Sequence, residues 1–246
     1  MDVDGGRSRR PERSWWRTAW RRPAVAGGAL LALVSVGLFA QLVDGVLERG
    51  DLSVIDPVVE QRVPALRDSV LNVVADVLAL LGSEVCLGIF AAVLVFWVWT
   101  QWKDRVLAAV LTASMAVTAG LIVGVKDLVG RVRPAAWAVY GPPDPSPAFP
   151  SGHTVGTTVF LGLVAGLVVL RWSSWWVRAF ALGGWVLGSV AVGASRIYLG
   201  YHWATDVVAG LVLGMGVLAL TVVAVDLLRH RRPSWTPAAR VVDDLS

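Results

Sequence analysis

Residues 106–125, VLAAVLTASMAVTAGLIVGV, run for 20 residues without one Asp, Glu, Lys or Arg, and the run stops on Lys126. A helix of that length is about 30 Å long, the thickness of the hydrocarbon layer of a bilayer. Five further runs share its character, at roughly 24–43, 85–102, 154–170, 179–195 and 207–225. The 246-residue chain is 56% hydrophobic and only 16% charged, against about a quarter charged in a soluble domain. The predicted fold is therefore all-α, a bundle of six transmembrane helices.

The first run is read as a retained span. It is long, lies behind 23 residues and lacks a small-residue cleavage site of the signal-peptide kind. A seventh apolar stretch, 70–81, holds Asn72 and Asp76 and has 12 residues, too short and too polar to cross alone. Gly82 and Glu84 offer a break before the second run, so 70–81 is read as an interfacial helix leading into that span.

Basic residues set the orientation. With the N-terminus inside, 15 of the 22 Lys and Arg fall on the cytoplasmic side, seven of them before residue 24. An even number of spans returns the C-terminus to the same side, giving a basic cytoplasmic tail over 1–23, a six-span domain over 24–228 and a second cytoplasmic tail over 229–246. Seven basic residues are left outside. Arg49, Arg62 and Arg67 lie in an acid-rich loop over 48–68, while Lys126, Arg131, Arg133 and Arg196 gather at span ends. Because the basic residues are spread as topology signals, nucleic acid is not an expected partner. Cys86, the one cysteine, cannot form an intrachain disulfide.

Glycine recurs at helical spacing within the spans: Gly120 with Gly124, Gly162 with Gly166, Gly184 with Gly188, and Gly210 with Gly214. Such small-xxx-small pairs allow close helix approach, expected here within one bundle. The 135–150 loop carries five prolines with Trp137, Tyr140 and Phe149, and should lie stiffly over the outer face. No tandem repeat, Gly-rich nucleotide loop or Cys/His metal cluster is present in the sequence.

Three stretches hold nearly every unusual residue, and the topology puts all three on the outer face. The first, leaving the third span, runs from Lys126 to Arg133 and Pro134. Lys126 and Arg133 are seven apart, about two turns, so they face one point if helix persists; a snorkelling Lys is the plainer explanation. The second, Pro150-Ser151-Gly152-His153, opens the fourth span. Ser151 is a good N-cap, and the free N–H groups of a helix start suit an anion that Gly152 would let approach. Ordinary capping explains it equally well. The third, from Ser195 and Arg196 to His202 and Asp206, bridges the last two spans. With helix beginning near His202, Asp206 lies one turn on, able to bond one ring nitrogen and leave the other nucleophilic; a structural His–Asp bond is the alternative. Taken together, Lys126, Arg133, Arg196 and the N–H groups near Gly152 make a cradle for a phosphate dianion, and His202 and His153 supply a nucleophile and an acid.

In these motifs the chain resembles the type 2 phosphatidic acid phosphatase (PAP2) superfamily. Its signature, K-x6-RP, PSGH and SR-x5-H-x3-D, is matched at every fixed position by Lys126, Arg133 and Pro134, by Pro150 to His153, and by Ser195, Arg196, His202 and Asp206. The resemblance implies a membrane phosphatase that works through a phosphohistidine on His202. Asp206 would orient that ring, and His153 would protonate the leaving oxygen and then activate water. Lys126, Arg133, Ser151, Gly152 and Arg196 would hold the phosphoryl oxygens, with no metal and no cofactor. The expected substrate is a lipid phosphate or a polyprenyl pyrophosphate, met at the outer face of the plasma membrane. A lipid phosphotransferase would share the same first step. A lipid transporter predicts ionisable residues near mid-membrane, and the six runs have none. The sequence does not specify the oligomeric state.

Overall fold

A computed structural model describes residues 23–48 and 54–230. The described residues form eight α-helices: α1 Pro23–Leu47, α2 Ile55–Arg62, α3 Ser69–Leu81, α4 Glu84–Trp97, α5 Arg105–Val129, α6 Gly152–Arg171, α7 Trp175–Tyr198 and α8 Ala204–His230. A π-helical turn, Val98–Trp102, continues α4, and short 3-10 turns occupy Val63–Leu66 and Ala136–Ala138. Six helices, all but α2 and α3, are long and apolar enough to cross a membrane. Residues 1–22 and 231–246, which carry most of the two predicted tails, lie outside the described residues, as does Arg49.

The helices outrun the charge-free sequence runs because charged residues are accommodated in their terminal turns. Asp104 caps α5 by accepting from the Leu107 N–H at 2.9 Å, so the helix begins at Arg105. At the far end α5 carries Lys126 and Asp127 and stops only at Gly130, whose φ of 59° gives the left-handed cap. Arg229 and His230 belong to α8.

Helix α3 fulfils the expected break. Asp68 caps it, accepting from Val70 and Leu71 N–H groups at 2.8 and 2.9 Å, and Gly82 ends it. At its start Asn72 accepts from Tyr198 at 2.8 Å; at its end Gly82 sits against Val192 of the same helix, α7.

Helix α6 lies at the centre, packed against α5, α7 and α8, while α1 lies along α8. Gly210 and Gly214 of α8 leave room for Thr154 and Thr158 of α6, where an added Cβ would come within 2.9 and 2.8 Å of the threonine Cβ atoms. Gly162 meets Leu218 and Gly188 meets Leu161. Among the described residues, Gly120, Gly124, Gly166 and Gly184 have nothing within 4 Å of an added Cβ and are exposed, so the expectation of close packing at all four pairs within the bundle is corrected. A cluster of Val98, Leu107, Leu111, Val159, Leu163 and Val217 fills one end of the bundle. Polar side chains collect at the other.

Candidate active site

The C-terminal ends of α5 and α7 and the N-terminal ends of α6 and α8 meet at that second end, bringing the three sequence stretches together. The 131–150 loop ties across them: Ala148 donates to the Arg131 carbonyl at 2.8 Å and Tyr140 to the Leu199 carbonyl at 2.8 Å. Gly200 makes the turn after α7 with a φ of 78°, pressed so close to the Ala138 carbonyl that an added Cβ would lie 2.0 Å from its oxygen.

Lys126 and Arg133 converge, but not along one helix as expected, because α5 ends between them. The loop residue Ser146 joins them: its hydroxyl accepts from Lys126 Nζ at 3.1 Å and from Arg133 Nη2 at 3.0 Å. Arg133 also donates to the Ser146 carbonyl at 2.7 Å, the Tyr201 carbonyl at 2.7 Å and the Asp144 carboxylate at 2.6 Å. Burial holds the Arg133 guanidinium below its ordinary pKa, against the pull of Asp144 and Asp206. Burial raises the Asp144 carboxyl, but the Ser146 N–H, Arg133, the Ser146 hydroxyl and Lys126 outweigh it and keep Asp144 below the usual carboxylate range.

His202 is buried, just ahead of α8, which begins at Ala204. Its Nδ1 lies 3.3 Å from Asp206 Oδ2, and its Nε2 lies 3.4 Å from Arg133 Nη1. A carboxylate only accepts and a guanidinium only donates. The neighbours therefore assign the tautomer: the proton sits on Nδ1 and the lone pair on Nε2. Burial pushes the His202 pKa down to about 4, the bond and charge of Asp206 pulling the other way. The ring is neutral near pH 7.

Arg196 is 6% exposed and lies over the Tyr201 ring at 4.3 Å. Its backbone carbonyl accepts from the Tyr201 and His202 N–H groups, at 3.0 and 3.3 Å. Its buried Nε has no protein partner among the described residues. A buried unpaired donor calls for a ligand or water.

Ser151 is fully buried. It occupies the N-cap position of α6, but its side chain makes no capping bond; the hydroxyl accepts from Thr154 at 2.9 Å, and the Ser151 N–H donates to the Asp206 carbonyl at 3.1 Å. This corrects the side-chain-capping expectation. Gly152 and His153 form the first turn of α6, and an added Cβ at Gly152 would come within 3.4 Å of Glu84 Oε1. His153 lies within electrostatic reach of Arg196, His202 and Lys126. All eight residues singled out in the sequence thus share one end of the bundle.

A model of the PAP2 superfamily matches residues 106–229, half of the chain. The chain belongs to the PAP2 superfamily. The fold agrees: this PAP2 chain is similar to the crystal structure described as the first transmembrane PAP2 type phosphatidylglycerolphosphate phosphatase from Bacillus subtilis. The TM-score is 0.70 over 83% of this chain and 98% of that one, at 20% sequence identity. No curated protein matches the sequence significantly.

Four side chains around the PAP2 motifs have no role that the sequence alone assigns. Asp144 and Ser146 sit in the proline-rich loop, whose composition announced stiffness but not which polar side chains turn inward. Arg131 was visible as one of the basic residues at span ends, without a role. Asp56 lay unremarked in the 48–68 loop, yet it is 2% exposed and bonded to Arg131.

Proposed function

We propose that this PAP2 protein is a membrane phosphatase that hydrolyses the terminal phosphate of a lipid through a phosphohistidine. The observation that carries this reading is the His202 ring. Asp206 holds its Nδ1, and its Nε2 lone pair faces Arg133 amid Lys126, the unpaired Nε of Arg196 and the first turn of α6. In the first step Nε2 attacks phosphorus as the bond to the lipid oxygen breaks, and His153 gives that oxygen a proton. In the second step water attacks phosphorus, His153 takes its proton, and the N–P bond breaks to release inorganic phosphate. Lys126, Arg133, Arg196, Ser151 and the Gly152 N–H hold the equatorial oxygens and stabilise the charge of the transition state.

A lipid substrate is supported by an apolar cavity of about 660 Å³ between α4 and α5. It opens beside Glu84 and Gly152 and runs past Ala91 and Met115 to Phe96 and Trp99, so an acyl or isoprenoid chain can lie along it while the phosphate sits at the site. We place the site on the outer face, from the charge asymmetry of the loops.

The test is phosphate release by detergent-purified protein from phosphatidic acid, phosphatidylglycerol phosphate and a polyprenyl pyrophosphate. Because cationic side chains rather than a metal are assigned to the phosphoryl oxygens, release should persist in excess EDTA. An acid-labile phosphoenzyme should be trapped with the wild type and not with His202→Ala. Loss of all activity in EDTA with recovery on Mg²⁺, or a phosphoenzyme that survives His202→Ala, refutes the reading.

A further inference from the structure

Behind His202 lies a set of charges, two buried carboxylates and a part-buried guanidinium, larger than the His–Asp pair requires. Arg131 reaches two carboxylates at once: Nη1 to Asp206 Oδ1 at 2.5 Å and Nη2 to Asp56 Oδ2 at 2.6 Å. Asp206 is 0% and Asp56 2% exposed. Thr205 closes the group, its N–H donating to Asp56 Oδ1 at 3.1 Å and its hydroxyl to Asp56 Oδ2 at 2.5 Å, while it accepts from Arg131 at 2.7 Å. The Trp203 N–H donates to Asp206 at 3.0 Å, and the Trp203 ring covers the Arg131 guanidinium at 5.4 Å. All four carboxylate oxygens of Asp56 and Asp206 are partnered.

An Arg131–Asp206 pair alone would be neutral, and the cost of burying charge makes a second buried carboxylate expensive unless it has a use. With Asp56 the triad carries one net negative charge. We propose that Asp56 is a positioning residue for catalysis: through Arg131 it keeps Asp206 fixed against His202 and leaves the triad one negative charge to match the positive charge that His202 acquires.

The inference rests on the phosphohistidine reading above. When the Nε2 lone pair forms the N–P bond, the P–O electron pair leaves with the lipid oxygen, which takes its proton from His153. The imidazole keeps its Nδ1 proton and so becomes a phosphoimidazolium, charge +1 on the ring. In the low dielectric around His202 that charge interacts strongly with its neighbours. With the triad at −1 the sum over ring and triad is zero after attack; without Asp56 it is +1.

This predicts an asymmetry that loss of structure does not produce. Asp56→Asn keeps the shape and removes the charge, so phosphoenzyme formation should slow by about 10–100-fold, at or below the 10²–10³ typical of a direct oxyanion donor. Breakdown should not slow, because an uncompensated phosphoimidazolium sheds its phosphoryl group more readily. KM should stay within about twofold, since Asp56 is not among the groups assigned to the phosphate. Asp56→Glu, which restores the charge, should form phosphoenzyme faster than Asp56→Asn. The measurement is rapid-quench single turnover of the full chain in detergent, with radiolabelled forms of the three lipids named above. Should Asp56→Asn not fold, Thr205→Val removes the hydroxyl bond to Asp56 with every charge in place; through looser positioning alone it should slow formation by a smaller factor and leave breakdown at the wild-type rate.

Formation and breakdown slowing together, or formation at the wild-type rate, overturns the inference and leaves the phosphatase reading intact. A wild-type chain that traps no phosphohistidine on any of the three lipids overturns that reading first.

Discussion

His202 is a base whose usefulness depends on remaining unprotonated inside a crowd of cations. Burial takes its pKa from 6.5 to about 4, while Asp206 opposes the shift. The sign follows: between those two values the unfolded chain binds a proton that the folded chain refuses. The stability owed to this group is present above about pH 6.5 and is lost as pH falls towards 4. An NMR titration of the labelled imidazoles should find His202 neutral at pH 5, and Asp206→Asn should lower its pKa further; titration near 6.5 contradicts the burial argument. The second histidine answers to the leaving group instead. General acid catalysis is typically worth about 10²–10⁴-fold, so His153→Ala should lose most activity on a lipid phosphate, whose alkoxide needs a proton. It should keep far more on p-nitrophenyl phosphate, whose leaving group hardly does. His202→Ala should lose both. Equal losses of the two variants on the aryl ester, with binding retained, would remove the distinction between acid and nucleophile. At this scale Lys126, Arg133, Arg196, His202 and Asp206 were legible because each is a costly residue at the end of an apolar run. Asp56 was not, since it is one carboxylate in an acid-rich loop and its partner Arg131 lies 75 positions away.

Helices were legible where hydropathy alone decides them, and less so where a single side chain sets the end. Six runs forecast six spans, and the polar Asn72 and the break at Gly82 forecast that 70–81 would stand apart. The third charge-free run ends at residue 125, yet α5 passes through Lys126 to Val129 because the cap is made by Gly130. Helix α2 was missed altogether: it has eight residues and no long apolar run, and Asp56 at its start is bonded to Thr205. The joint between α7 and α8 depends on Gly200, where a side chain meets both a left-handed backbone and the Ala138 carbonyl. Gly200→Ala should therefore cost about 1–3 kcal/mol from overpacking and roughly 1–2 kcal/mol from the positive φ. It should also displace Tyr201 and Arg196, with activity falling accordingly. Gly120→Ala is the control, having open space around the added Cβ, and should leave the thermal midpoint unchanged or raised. Equal midpoints for the two variants would show that the loop is not locked where the geometry says.

Across the whole molecule the two ends of the bundle are chemically unlike. One holds the Lys126, Arg133, Arg196 and His202 cluster; the other holds Arg105, Arg171 and Arg178, with Asp104 paired to Arg229 at 3.6 Å. Between them α1, α4 and α7 turn side chains such as Leu33, Phe96 and Phe180 outward, each 61–79% exposed, an apolar belt that suits acyl chains and not water. Which end faces the cytoplasm is a question of loop charge, and the proposed answer puts the phosphate site outside. The structure guides where probes should go. Asp56 is buried and Asp144 is paired with Arg133, so a cysteine at either position would report on damage rather than topology. Leu66 and Trp137, 65% and 61% exposed, lie at the site end, and Ser173 lies exposed in the turn between α6 and α7 at the other. In a Cys86→Ser background, Leu66→Cys and Trp137→Cys should react with a membrane-impermeant maleimide in intact cells, while Ser173→Cys should react only after permeabilisation. The first two also serve as internal checks, since both must label alike if the site end is one face. Labelling of Ser173→Cys alone in intact cells would invert the orientation. The same chemistry would then act on lipids of the inner leaflet, because the geometry around His202 does not depend on which side of the membrane it faces.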